Sequence, residues 1–197
     1  MKAHNKASEW FDGLYQENKE THENIPWARQ AVNPLLQTYL ESEREHNGTA
    51  LVIGCGLGDD AIALERAGYD VTAIDVSQTA LDLAKERFAD SNVKFVKQDI
   101  FEYEAQFDFV FEALTIQSLP VEFRKKMISA VAHTVKKGGR LLLVAHKKEE
   151  DFDGPPWPLT QAEVDLFKAQ GLHELTHELH TEDSKISNTR FRVLYEK

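Results

Sequence analysis

Apolar and polar positions alternate along this chain with two periods, and the change from one to the other divides it. Trp10, Phe11, Leu14 and Tyr15 recur at helical spacing within residues 7–16, which predicts an amphipathic helix with an aromatic face. A polar stretch over 17–24 is followed by Ile25-Pro26-Trp27, with the proline placed to begin a helix. Asn33-Pro34 repeats that start signal, and Leu35, Leu36, Tyr39 and Leu40 form a helical stripe that fades in the charged run 41–45. After the turn His46-Asn47-Gly48 the pattern changes. Ala50-Leu51-Val52-Ile53 is a continuous apolar run, as in a strand buried on both faces.

From there helical stripes and short apolar runs take turns. Helices are predicted at 59–67, stopped by Gly68; at 78–88, capped by Ser77; at 121–135; and at 161–169, capped by Thr160. Strands are predicted at 71–74, 93–97, 107–112 and 140–145, with Gly138-Gly139 ending the unit before the last of them. Residues 175–179 and 191–195, separated by a polar turn, read as an antiparallel hairpin that closes the sheet. Strands alternating with helices make an α/β sheet, and 197 residues suffice for one such domain with a buried core. The leading segment, 1–48, is far longer than the usual connection of about 2 to 6 residues. It is expected to be a helical lid belonging to the domain at 49–197, with Trp10 and Trp27 covering a ligand.

The richest chemistry follows the first strand. Gly54-Cys55-Gly56-Leu57-Gly58 sets three glycines at alternate positions, so that a ligand can lie directly on the backbone. A helix begins at Asp59, and the next strand ends in Asp75. Strand, glycine turn, helix, strand and terminal acid are the start of a nucleotide-binding sheet, with amides at a helix N-terminus and a carboxylate for ribose hydroxyls. A dinucleotide fingerprint from Gly54 would need glycine at 59, where Asp59 with Asp60 beside it would repel a pyrophosphate. S-adenosylmethionine, with a sulfonium and an amino acid in place of the diphosphate, suits that acidic surround.

Composition narrows the partners. A formal net charge of -10 and no basic stripe argue against nucleic acid. No apolar run approaches the ~18 residues of a membrane span, and residues 1–10 are too polar for a signal peptide. The one cysteine, Cys55, cannot form an intramolecular disulfide and reads as a packing residue, which fits a reducing cytoplasm. His173, His177 and His180 invite a metal reading, but in a regular strand the first two share a face that the third does not. No carboxylate or cysteine cluster completes a site, so no metal is expected.

The strand at 107–112 delivers Glu112 to the carboxyl end of the sheet, where ligands of open α/β sheets bind, and the strand at 140–145 delivers His146 to the same edge. Glu112, Gln117 and His146 therefore converge, with Glu112 and His146 as candidate bases. In the run 151–158, DFDGPPWP, adjacent prolines hold Trp157 on a stiff support.

These residues resemble the class I S-adenosylmethionine-dependent methyltransferases, although their first motif usually carries an acid where Val52 stands. The resemblance extends to the branch holding thiopurine, thiol and halide, and tellurite-resistance methyltransferases. It rests on Glu9-Trp10 with Lys-Glu-Thr-His at 19–22, on FDFVFEAL at 107–114, on GPPWPLTQAEVDLF at 154–167 and on the terminal FRVLYEK. It implies a Rossmann-like, mostly parallel seven-stranded sheet. By the same resemblance Gly54, Cys55, Gly56, Gly58, Asp75, Val76 and Glu112 hold S-adenosyl-L-methionine, Trp10 lines its pocket, and Asp99 and Ile100 meet its adenine. Trp27, Gln117 and Trp157 would border the acceptor. Where thiopurine enzymes carry Asp-Arg after the fourth strand, this chain has Glu112-Ala113, which speaks against a thiopurine.

The expected reaction is methyl transfer to a small soft nucleophile: a thiol, a selenium or tellurium oxyanion, or a heteroaromatic thiol. An oxygen or nitrogen methyltransferase of a small aromatic metabolite is the second reading, and a non-catalytic cofactor-binding partner subunit the third. A monomer or homodimer is compatible with all three.

Overall fold

Four consecutive apolar residues, each no more than 2% exposed, carry the first strand through the core. The computed structural model describes residues 3–18, 25, 30–42, 46–150, 154–181 and 186–197, with side chains from Trp10 onward. Trp27, the helix start at Pro26 and residues 19–22 lie outside the described residues. The chain forms two units, Met1–Asp99 and Ile100–Lys197.

The first unit holds α1 (Ala3–Glu17), α2 (Pro34–Ser42), β1 (Thr49–Ile53), α3 (Asp59–Ala67), β2 (Asp70–Asp75), α4 (Gln78–Arg87) and β3 (Lys94–Lys97). β2 is flanked by β1 and β3, both parallel to it, with Ile53 opposite Ile74 and Asp75 opposite Lys97. Gly68 ends α3 with a φ of 120° that only glycine adopts without strain, and its amide turns back to the carbonyls of Leu64 and Glu65. Ser77 caps α4 by accepting from the Ala80 amide. Asn33 caps α2, its Oδ1 accepting from the Leu35 amide at 3.0 Å, while its own amide donates to Asp60 at 2.7 Å.

The second unit holds β4 (Phe107–Ala113), α5 (Arg124–His133), β5 (Val135–His146), α6 (Gln161–Ala169), β6 (His173–Thr181) and β7 (Thr189–Glu196), with 3-10 turns at Ile100–Glu102, Ile116–Ser118 and Val121–Phe123. β4 and β5 are parallel, and β7 runs antiparallel to both β5 and β6. The sheet order is β3-β2-β1-β4-β5-β7-β6, mostly parallel with an antiparallel C-terminal hairpin. α6 starts with a capping box between Thr160 and Glu163 and docks through Tyr195, whose hydroxyl donates to the Val164 carbonyl at 3.0 Å.

Three expectations are corrected. The helix expected over 121–135 is a 3-10 turn followed by α5, which stops at His133. The glycine pair does not precede the next strand but lies inside it. Val135 already pairs with Phe107, the register then slips to Arg140 opposite Phe109, and Gly138 absorbs the excursion at a φ of 75°. In β6 a second irregularity between Glu174 and Thr176 shifts the phase. His173 faces Glu196 and His180 faces Arg190, whereas His177 faces Val193, so His173 and His180 share a face and His177 takes the other. His177 and His180 sit against Glu174 and Glu178, at 3.2 and 2.9 Å, and no group of metal-ligating side chains occurs among the described residues.

Candidate active site

In the first unit the glycine turn is built from left-handed backbone. Gly54, Gly56 and Gly58 have φ of 64°, 51° and 89°, and Gly54 is exposed. Asp75, at the end of β2, clasps the turn: Oδ2 accepts from the Gly56 amide and Oδ1 from the Ser77 amide, both at 2.9 Å. Its carboxylate is 9% exposed. Burial pushes its pKa up, against the amides of Ser77, Gly56 and Val76. A carboxylate offers about four acceptor positions, so capacity remains beyond these three amides. Val76 is half-buried at the same strand end.

One side chain of α1 reaches this turn and another reaches the N-terminus of α4. The Tyr15 hydroxyl lies 2.8 Å from where a Cβ on Gly56 would stand. Tyr15 is 2% exposed and packs with Ile25, Leu57, Ala80 and Leu83. Asp12 Oδ1 accepts from the Ser77 hydroxyl at 2.7 Å and the Thr79 amide at 3.0 Å, a second cap on α4 supplied from 65 residues away. The Ser77 bond leads in holding the Asp12 carboxyl below its usual pKa. Asp12→Ala should therefore lower unfolding free energy by about 1 kcal/mol in urea denaturation; an unchanged midpoint would mean that this cap contributes nothing. Trp10 stacks on Phe11 with centroids 4.1 Å apart and is 38% exposed, so Tyr15 rather than Trp10 covers the glycine turn.

The acids after the turn do not behave as expected. Asp59 is engaged by Arg87 in a two-pronged ion pair at 2.8 and 2.9 Å, and Asp60 holds the Asn33 amide. A carboxylate so paired offers little repulsion to a pyrophosphate, so Asp59 does not by itself exclude a dinucleotide. Burial and the Asp75 charge push the Cys55 thiol pKa well above its ordinary value, as befits an unreactive residue. Val52 is buried, and half-buried Asp99 follows β3, its carbonyl accepting from the Gln98 side chain at 3.2 Å. Ile100 is 7% exposed and opens the 3-10 turn of the second unit.

In the second unit a buried polar group forms around the ends of β4 and β5. Glu112 is fully buried; its Oε1 accepts from the Ile116 amide at 2.8 Å, and its Oε2 has no hydrogen-bond partner among the described residues. Burial raises its pKa to about 7, against the amides of Ile116 and Thr115 and the charge of Arg124. Gln117, 1% exposed, holds two segments at once: its Oε1 accepts from the His146 amide at 2.8 Å, and its carbonyl accepts from the Trp157 amide at 2.7 Å. The Trp157 carbonyl accepts from Arg124 Nη2 at 2.9 Å, and Arg124 Nε lies 3.5 Å from Glu163 Oε1. The structure thus joins Gln117, His146 and Trp157 in one network beside Glu112. The residue that sequence reasoning missed is Arg124. It begins the stripe Arg124, Met127, Ile128, Val131, all buried, so a cation at the head of an apolar helical face was the signal.

Comparison with known proteins agrees with this architecture. Residues 14–194 match the thiopurine S-methyltransferase (TPMT) family. Thiocyanate methyltransferase 1 of Arabidopsis thaliana is 28% identical over 184 residues, 87% of this chain and 81% of its own. Thiopurine S-methyltransferase of Legionella pneumophila is 26% identical over 188 residues, 84% of this chain and 82% of its own. Among solved structures, the N-methyltransferase NodS from Bradyrhizobium japonicum, in complex with S-adenosyl-L-homocysteine, superposes with a TM-score of 0.73 at 19% identity, covering 92% of this chain and 97% of its own. Glycine turn, clasping acid, sheet order and a family match over nearly the whole chain agree: the protein belongs to the thiopurine S-methyltransferase family and is an S-adenosylmethionine-dependent methyltransferase.

Proposed function

We propose that the acceptor is a small soft nucleophile, a thiol above all, with selenium and tellurium oxyanions and heteroaromatic thiols in the same class. The observation that carries this reading is Glu112. It is a fully buried carboxyl with one uncommitted oxygen and a pKa of about 7, where a base for a thiol must lie. A thiol of pKa about 8.5 is only a few per cent ionised at neutral pH and gains from losing its proton to such a group. Beyond that, an in-line transfer between good partners needs alignment and exclusion of water.

S-adenosylmethionine, when bound, supplies a methyl group made electrophilic by its sulfonium. The residues fit it: a left-handed glycine turn with its first glycine, Gly54, exposed, a clasping carboxylate with acceptor capacity to spare, and an acid after the next strand. We assign Gly54, Cys55, Gly56 and Gly58 to the backbone cradle, Asp75 and Val76 to the ribose, Asp99 and Ile100 to the adenine, and Trp10 to the rim. Glu112 takes the acceptor's proton. His146 is an anchor, since its amide binds Gln117 and its carbonyl accepts from the Leu159 amide at 2.8 Å. Trp157, half-buried and gripped through its amide and its carbonyl, borders the acceptor together with Gln117. Residues 1–48 act as a lid, whose α1 is held by Tyr15 against Gly56 and by Asp12 at the N-terminus of α4. We place the enzyme in a reducing cytoplasm; its charge of -10 favours small molecules over nucleic acid.

Methyl-labelled S-adenosylmethionine offered with 2-mercaptoethanol, thiophenol, tellurite, phenol and aniline tests the reading. Label should enter the thiols and tellurite and leave phenol and aniline unmodified. Label on phenol or aniline alone would make this an oxygen or nitrogen methyltransferase.

A further inference from the structure

Glu112, with its Oε2, is a buried charge of the second unit that has an atom to spare among the described residues, and Arg124 is another. Arg124 is 3% exposed, yet its Nη1 and Nε have no hydrogen-bond partner among the described residues; Nη2 donates to the Trp157 carbonyl, and Nε lies 3.5 Å from Glu163 as an ion pair. Buried guanidinium donors are costly to leave unmade, as are carboxylate oxygens. The two groups do not form an ion pair, although each feels the other's charge. The path between them is short: Glu112 holds the Ile116 amide, the next residue accepts from the Trp157 amide, and the Trp157 carbonyl meets Arg124. What both lack is a species that gives a hydrogen bond to a carboxylate and takes one from a guanidinium.

We propose that Arg124 Nη1 and Glu112 Oε2 together bind the X–H group of the acceptor, and that Arg124 is a second catalytic residue which stabilises the anion left when Glu112 takes the proton. This rests on the methyl-transfer reading above and deepens it. The acceptor enters neutral and protic. Its proton passes to Glu112 Oε2, its freed electron pair forms the X–CH3 bond, and the methyl–sulfonium bond breaks with its pair retained on sulfur. Arg124 serves this role because the Trp157 carbonyl takes Nη2 and the Glu163 carboxylate lies beside Nε, so Nη1 alone of the three nitrogens has neither beside it. The charged groups around Glu112 are Arg124 from α5 and, behind it, Glu163 from α6; His146, from the end of β5, is tied through its backbone.

The arrangement makes the two kinds of soft acceptor respond oppositely to pH. A neutral thiol needs ionised Glu112, so its kcat/KM rises through about pH 7 to a plateau. An anion without a proton, such as thiocyanate, is repelled by ionised Glu112, so its kcat/KM falls over the same range. The experiment measures kcat/KM from pH 5.5 to 9 with 2-mercaptoethanol and with potassium thiocyanate, in wild type, Arg124→Gln and Arg124→Lys. In R124Q the thiol rate should drop about 100-fold, and its pH midpoint should move upward because the cation favouring ionised Glu112 is gone. R124K keeps the charge and should keep the midpoint while losing rate; it carries the test if R124Q does not fold. Variants with an unmoved midpoint and rates within threefold of wild type would reduce Arg124 to a clamp on Trp157 and overturn the proposal, with thiol methylation intact. A wild type that methylates neither probe, while binding S-adenosylhomocysteine, would instead overturn the soft-acceptor reading, and this proposal with it.

Discussion

Glu112→Gln should remove a loss of stability that the wild type suffers as pH rises from about 5 to 8. Glu112 has its pKa raised from 4.5 unfolded to about 7 folded, so the native state holds the proton more tightly. Its stabilising contribution is complete below pH 4.5 and disappears as pH passes through 7, because above that the folded protein must ionise a buried carboxyl. The difference of 2.5 pH units, at 1.36 kcal/mol each, amounts to about 3 kcal/mol. Urea denaturation at pH 5 and pH 8.5 should show this decline in wild type and not in E112Q, where the amide keeps an acceptor for the Ile116 amide. Every other ionisable group is common to both proteins, so the difference between the two curves isolates Glu112. The same variant should lose 100- to 10,000-fold in thiol turnover, roughly what a general base contributes. A protein that becomes more stable above neutrality while losing its activity holds this carboxyl for chemistry and not for folding. Parallel stability curves would show that Glu112 ionises at its ordinary pKa in the folded protein, so that burial does not poise it as a base near neutrality.

The order of helices and strands was readable because local signals agreed: apolar runs for buried strands, Ser77 and Thr160 as caps, Gly68 as a stop. The glycine turn and Asp75 were readable for the same reason, since their chemistry lies within one supersecondary unit. What could not be read depends on contacts distant in sequence. Asp12 looks like a solvated helical acid until α1 is docked on α4, and nothing near residue 12 encodes that meeting. Asp59 looked like a free carboxylate because its partner, Arg87, is 28 residues on. The two register slips, at 136–139 and at Glu174, carry no residue pattern of their own beyond a glycine pair in the first. Arg124 lies between these cases: its helical spacing was visible, but a cation on an apolar stripe acquires meaning only once Glu112 and Trp157 are placed.

Asp75→Ala should abolish cofactor binding. Calorimetric titration of the wild type with S-adenosylmethionine or S-adenosylhomocysteine should give micromolar affinity, about -8 kcal/mol, and the variant should bind at least 100-fold more weakly. Two losses combine in that figure. The ribose loses its acceptor, and the amides of Gly56 and Ser77, both buried, lose theirs, at about 1 to 3 kcal/mol for each group left unsatisfied. Asp75→Asn separates the two, because its side chain fills the same space and its one carbonyl oxygen can still accept from one of the amides. If the ribose contact dominates, D75N binds nearly as poorly as D75A while its stability stays closer to wild type. If the clasp on the glycine turn dominates, D75N recovers affinity and stability together. A D75A protein that binds both cofactor forms as tightly as wild type would leave Asp75 as a clasp alone. The ribose would then have to be held by another group, and Asp12, which shares the α4 N-terminus with Asp75, is the carboxylate to replace next.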